Sequence, residues 1–180
     1  MVCLGYFDGV HLGHQALLRT GREIADGLGL PLVVHTFDRA PGKSGAELTS
    51  LAQRRTLLLR FGADEVAVSP FDDATRRMNG EAFIRNIIIG RLHARHIVCG
   101  EDHRFGYQGK CGVSELRAMC DECGVGLTVV PAVTLNGERV SSTAIREALD
   151  RGDIPLAEKM LGYRPEYPCP QGHTLFPDVP

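Results

Sequence analysis

The chain has 180 residues, 43% of them hydrophobic, and a formal net charge of −2. That length and apolar content suit one ordinary domain with a sizeable core, and near-neutral charge leaves no basic footprint for nucleic acid or an acidic membrane surface. No run approaches the ~18 uninterrupted apolar residues of a membrane span and MVCLGYF is too short for a secretion signal, so the cysteines are expected to be reduced thiols of a cytoplasmic protein.

In chain order, residues 2–4 read as a short buried strand, and a glycine-rich turn then leads into a helical pattern over 13–28. Apolar, β-branched runs at 31–37, 65–71, 96–100 and 127–133 predict four more buried strands. Between them, helical periodicity covers 51–60, 79–92 and 113–123, the first opened by Ser50 and Gln53 at capping-box spacing. Two further helices follow, SSTAIREALD and IPLAEKMLG, the second with Asp153 as cap and Pro155 in its first turn. Strand–helix alternation at this rhythm predicts an α/β fold: a five-stranded, mostly parallel sheet with helices on both faces. Residues 1–164 form the expected domain, and the proline-dense 165–180 tail is expected outside its core. The glycine-rich segment 38–47 follows a strand and reads as a mobile loop over a site.

In such folds ligands collect where strands end and helices begin. The first such turn, GYFDGVHLGH, holds His11 and His14 three residues apart, so both project to one side of the helix terminus. Free backbone amides and the helix dipole make that terminus an anion site, and Gly9 and Gly13 allow backbone to approach a phosphate closely. No third acidic or thiol ligand accompanies the pair, so zinc is not indicated. An H-x-x-H pair alone is usually structural, and HARH at 93–96, running from a helix end into a strand, is read that way.

Further along, Ser141, Ser142 and Thr143 place three hydroxyls at a helix start with Arg146 one turn in, a phosphate clamp of hydroxyls, amides and a guanidinium fork. VCGEDHRFGYQGKCG, residues 98–112, is a turn after a strand in which Asp102 can accept from exocyclic amines or ribose and Phe105 offers an aromatic face. CDEC at 120–123 lies late in an amphipathic helix, away from the helix start where a thiolate would be stabilised, and is read as structural. Cys169 with His173, and Asp72 with Asp73 in a solvated loop, are likewise set aside.

GYFDGVHLGH resembles the H-x-G-H signature of the nucleotidylyltransferase superfamily, and in its G-x-F-D-G-V-H-x-G-H form the adenylyltransferase module of bacterial FAD synthetases. The four-residue signature alone leaves cytidylyltransferases and pantetheine-phosphate adenylyltransferases open. VSSTAIREALDRGDIPLAEKMLG resembles the S-S-T-x-I-R motif, CGEDHRFG the G-x-D-F-x-F-G stretch, and HTFDRAP a T-F-D-P-x-P stretch. His103 stands where that family usually has phenylalanine, Arg39 where it has proline, and Tyr6 where asparagine is commonest, a position expected to be tolerant.

The resemblance implies a Rossmann-like nucleotidylyltransferase fold and transfer of AMP from ATP to FMN, giving FAD and pyrophosphate, with Mg²⁺ accompanying ATP. It implies catalytic roles for His11, His14 and Arg146, and ATP or phosphate contacts from Gly5, Phe7, Asp8, Gly9, Gly13, Ser141, Ser142 and Thr143. The flavin–adenine cleft would take Phe37, Asp38, Asp102, Arg104, Phe105 and Gly106, with no metal held by protein side chains. GHTLFPDVP only faintly echoes the start of the family's riboflavin kinase module, so kinase activity is not expected and a separate kinase would supply FMN. The alternatives are a related nucleotidylyltransferase using another phosphate substrate, or a catalytically impaired flavin- or nucleotide-binding module.

Overall fold

The computed structural model describes residues 1–42 and 46–165. Most of the proline-dense tail, with Cys169 and His173, and part of the 38–47 segment lie outside the described residues.

Five strands form one parallel sheet: β1 (Val2–Leu4), β2 (Val33–Phe37), β3 (Glu65–Ser69), β4 (His96–Gly100) and β5 (Gly126–Val130). Their order is β3-β2-β1-β4-β5, so the shortest strand lies at the centre, with Val2 paired to both Val33 and Ile97. β1 is wholly buried because helices cover both faces, which is why its sequence is apolar without alternation. Cys3, Val34, Val66 and Val98 pack against helix α1 (Leu12–Leu28) and helix α2 (Leu51–Arg60). Val2, Leu4, Val33 and Ile97 pack on the other face against Phe83, Ile84, Ile88 and Leu116.

Local chemistry sets the boundaries. Ser50 and Gln53 form the expected capping box of α2, and Gly29 closes α1 in the left-handed conformation. The third and fifth strands stop at Ser69 and Val130, short of the expected ends at 71 and 133, because Pro70 and Pro131 bring no N–H to the ladder. The helix expected at 79–92 begins as α4 (Gly80–Ala82), capped by Asn79, and continues as a π-helix over Phe83–Arg91. Gly90 permits that wider winding, since a Cβ there would lie 3.0 Å from the Arg85 carbonyl oxygen.

Two elements go beyond the sequence reading. Asp72 and Asp73 are not in a solvated loop: the Asp72 carboxylate accepts from the Thr75 amide at 2.8 Å and caps the short helix α3 (Asp73–Arg77). After α5 (Val113–Cys123), a small antiparallel hairpin joins β6 (Thr134–Leu135) to β7 (Glu138–Arg139) through Asn136 and Gly137, both at positive φ. The last helices, α6 (Ser142–Asp150) and α7 (Ile154–Leu161), pack with Leu48 and Val140 into a third apolar cluster. No helix among the described residues is long and apolar enough to cross a membrane.

Candidate functional site

The turn between β1 and α1 is backbone under constraint. Phe7, Gly9 and Val10 all have positive φ, at 61°, 75° and 36°. Such conformations persist only where the surroundings over-determine them. Asp8 does much of that: its carboxylate accepts from the Leu48 amide at 3.1 Å, the Thr49 amide at 3.0 Å and the Thr49 hydroxyl at 3.2 Å. The Arg146 guanidinium, 138 residues away in sequence, completes the set at 2.8 Å. Ser142 donates its hydroxyl to the Asp8 carbonyl at 2.9 Å, and the Tyr163 hydroxyl donates to the Gly9 carbonyl at 2.8 Å. The C-terminal helices therefore brace the N-terminal turn.

That brace presents the two histidines. His11 is the residue before the first turn of α1, and His14 lies three residues further on. Their rings stack with centroids 3.7 Å apart and planes 19° apart, and Phe7 leans on His14 at 5.1 Å. Gly13 passes beneath: a Cβ there would come to 3.1 Å of the His11 ring. Both imidazoles, Gly13 and the Ser141–Ser142 start of α6 line one cavity of about 1150 Å³ at the carboxyl ends of the strands. Ser141 caps α6, its hydroxyl oxygen accepting from the Ala144 amide at 3.1 Å. Two helix N-termini therefore open toward the same space, each with amides that lack intrahelical partners.

The opposite side of the cavity is aromatic. His35 meets Phe37 edge-on at 5.1 Å and Phe83 at 5.4 Å, Phe37 meets Phe71 at 5.2 Å, and His103 lies nearly parallel to Phe105 at 5.7 Å. All six rings line the cavity. His35 also shares a 2.9 Å hydrogen bond with the Ser69 hydroxyl. Burial pushes the His35 imidazole down to about 4, with the neighbouring His103 adding to the shift, and burial pushes His103 down to about 4 as well. Near neutral pH both rings are uncharged.

Several expected contacts are placed differently. Arg146 and the Ser142 hydroxyl brace Asp8, so neither is held ready in the cavity; Thr143 is exposed and Arg146 lies outside the lining. Asp8 lines the cavity, but four donors occupy its carboxylate, which suits a strut and not a phosphate contact. Gly9 also lies outside the lining: its amide donates to the Thr49 hydroxyl, and a Cβ would strike Leu48 at 2.8 Å. Asp38 faces away, accepting from the Phe71 amide at 2.8 Å and tying the end of β2 to the segment after β3. Gly5, Phe7, Phe37, Asp102, Arg104, Phe105 and Gly106 all line the cavity. Asp102 is paired with Arg139 at 2.9 Å, and Arg104 donates to the Gly109 carbonyl at 2.9 Å. Gly106, at φ 73°, is glycine because a Cβ would come to 2.7 Å of the Gly80 amide nitrogen.

Sequence reasoning missed His35, Phe71, Phe83 and Arg139. Phe71 follows Pro70 and Arg139 sits on the hairpin that Asn136–Gly137 signalled, so both were within reach. Tyr6 is not a passive substitute for asparagine. Its hydroxyl donates to Glu47, and its ring lies 4.1 Å beneath the guanidinium of fully buried Arg54, which donates to the Phe37 carbonyl at 2.8 Å.

The set-aside motifs that fall within the described residues make framework contacts. His93 is an exposed turn residue at φ 51°, and His96 hydrogen-bonds Thr128 across β4 and β5 at 2.9 Å. Burial pushes the Cys120 thiol up to about 11, far from a reactive thiolate. Among the described residues no group of three or more His, Cys, Asp or Glu side chains could hold a metal ion.

A doubly wound parallel sheet with a braced, histidine-bearing turn after its central strand is the Rossmann-like nucleotidylyltransferase fold. A crystal structure from Streptococcus pneumoniae, described as a macrolide-efflux protein, shares the architecture at a TM-score of 0.82 and 31% identity, over 91% of this chain and 56% of that one. The chain belongs to the FAD synthetase family, whose model matches residues 1–144. It is similar to the bifunctional riboflavin kinase/FMN adenylyltransferase of Haemophilus influenzae, 36% identical over 88% of this chain and 54% of that protein. The corresponding proteins of Bacillus subtilis and Listeria monocytogenes are 35% and 33% identical over 90% and 91% of this chain. The chain spans about half the length of these curated relatives.

Proposed function

We propose that this chain is an FMN adenylyltransferase module. A phosphate oxygen of FMN attacks the α-phosphorus of ATP, a new P–O bond forms, the α–β bridging bond breaks, and FAD and pyrophosphate leave. The observation that carries the reading is one cavity joining two helix N-termini and two stacked imidazoles to a wall of six rings. The first side suits a triphosphate and the second a flat heteroaromatic ring. Membership of the FAD synthetase family supports the same substrates.

The phosphate of FMN is already a nucleophile, so no side chain need remove a proton from it. The work left to the protein is alignment and stabilisation of charge that grows on phosphate oxygens. His11 and His14 donate to those oxygens from a turn that cannot relax away, and the Ser141 end of α6 holds the departing pyrophosphate. Arg146 acts through Asp8, fixing the turn that carries both histidines, and is a positioning residue. An Mg²⁺ ion would come with ATP and be held chiefly by its phosphates. Such an ion would neutralise phosphate charge. Because the reaction consumes FMN, phosphorylation of riboflavin must precede it.

Chromatography of protein incubated with ATP, Mg²⁺ and FMN tests the reading. FAD and pyrophosphate in equal amounts are expected, with no adenylylated product from phosphopantetheine and no cytidylylated product from glycerol phosphate with CTP. Product from either of those substrates in place of FAD would assign the cavity to another nucleotidylyl transfer.

A further inference from the structure

The chain between β2 and α2 is fastened at both of its ends. Asp38 is tied to the segment after β3, its amide donating to the Ser69 carbonyl at 3.1 Å and its carboxylate accepting from the Phe71 amide at 2.8 Å. At the other end the Leu48 and Thr49 amides donate to Asp8. Between these anchors the Glu47 carboxylate makes a cross-tie: one oxygen accepts from the Ala40 amide at 3.2 Å and also from the Tyr6 hydroxyl. Tyr6 can hold that tie because it is itself fixed. Its carbonyl accepts from the Thr36 hydroxyl at 2.9 Å, and its ring packs on the buried Arg54 guanidinium. Burial, with the Glu47 carboxylate adding to it, pushes the Tyr6 phenol well up, so the hydroxyl keeps its proton. Pro41 and Gly42, which follow Ala40, line the cavity, as do Tyr6, Phe37 and Phe71.

Resting on the adenylyltransferase reading, we infer that Glu47 and Tyr6 are positioning residues for the flavin substrate: their hydrogen bond holds Ala40, and with it the cavity rim at Pro41 and Gly42, in the arrangement that receives FMN. Glu47 does not line the cavity, so it acts through what it holds. A carboxylate oxygen shared by two donors binds more firmly than a neutral acceptor, and it fixes backbone that would otherwise sample many conformations. Without the tie the receptive arrangement is a smaller fraction of the population. Affinity for the substrate that meets the rim then falls by that fraction, while the chemistry after binding is unchanged. The phosphate side is spared, because the bonds that pin the histidine turn run through Asp8.

Amide hydrogen exchange and steady-state kinetics on the full chain test this. Tyr6→Phe keeps the ring on Arg54 and loses only the hydroxyl. In that variant the Ala40 amide should exchange about tenfold faster and KM for FMN should rise about tenfold. KM for ATP and kcat should stay within about twofold, with the unfolding temperature nearly unchanged. Glu47→Ala should behave alike, and Glu47→Gln, which still accepts a hydrogen bond, should recover most of the loss. The double variant of Tyr6→Phe with Glu47→Ala should be no worse than Glu47→Ala alone. Unchanged Ala40 exchange in Tyr6→Phe overturns the tie, and additive losses in the double variant overturn the shared role. Faster exchange with KM for FMN unchanged, or a rise confined to ATP, overturns the link to the flavin. A fall in unfolding temperature that tracks the loss, without rescue by Glu47→Gln, overturns it by making both residues structural. Wild-type protein that makes no FAD removes the underlying reading and leaves the exchange result standing, so the two failures are distinguishable.

Discussion

The two sides of the cavity grow from the same sheet by opposite means. On the histidine side, order comes from polar bonds: three positive-φ residues within four are pinned by the turn's own Asp8 carboxylate together with one guanidinium and three hydroxyls drawn from elsewhere along the chain. On the ring side, order comes from packing, with Phe83 and Phe105 continuous with the core beneath the sheet. The difference follows from what each must do. A group that meets growing charge has to be fixed in direction, which hydrogen bonds do, whereas a group that meets a flat ring needs only a firm surface.

Single substitutions should separate the two constructions. The largest effect is expected from His14→Ala, which should cut kcat by about 10²–10³ while leaving the unfolding temperature nearly intact. Equal losses of activity and stability would make His14 a packing residue. Arg146→Ala should behave otherwise, because it leaves the Asp8 carboxylate buried with its cation gone. Chemical denaturation should show a loss of about 3 kcal/mol alongside the loss of turnover. Unchanged stability with lost turnover would instead put Arg146 on phosphate.

On the ring side the effect should be one of pH. The His35 imidazole ionises less readily in the folded chain than the ordinary 6.5, so the unfolded chain binds the extra proton as pH falls from 6.5 toward 4. Its contribution is complete above 6.5 and is lost on acidification, amounting to about 2–3 kcal/mol by pH 4.5. Urea unfolding at pH 7 and pH 4.5 should show a smaller acid loss in His35→Gln than in wild type, and an equal loss would contradict the assignment. The smallest effect is expected from His93→Ala, whose exposed ring lines no part of the cavity. Its activity and stability should match wild type within about 0.5 kcal/mol, which makes it the control for His14→Ala at identical H-x-x-H spacing.

The sheet, its helices and most caps were legible because each rests on local signals: β-branched runs, Ser50 with Gln53, Asp153 with Pro155. The histidine pair was legible for the same reason. What was not legible depends on distance in sequence. Nothing in S-S-T-x-I-R says that its arginine turns toward Asp8, because that pairing exists only once α6 docks on the first turn. Likewise His35 reads as one more buried strand residue until the fold brings Phe83 and His103 beside it. Gly9 was singled out for close approach and for dihedrals other residues avoid; its φ of 75° fits the second reason, and the 2.8 Å at which a Cβ would meet Leu48 is a long-range contact the sequence does not announce.

A crystal structure of the chain with FMN and a non-cleavable ATP analogue bridged by carbon between its α- and β-phosphorus atoms tests the two-sided cavity most directly. The α-phosphate should lie against His11 and His14 with the terminal phosphates toward Ser141, and the flavin should stack on the Phe37–Phe105 wall. Phosphates seated at Arg76 and Arg77, with the imidazoles facing a ring, would contradict it.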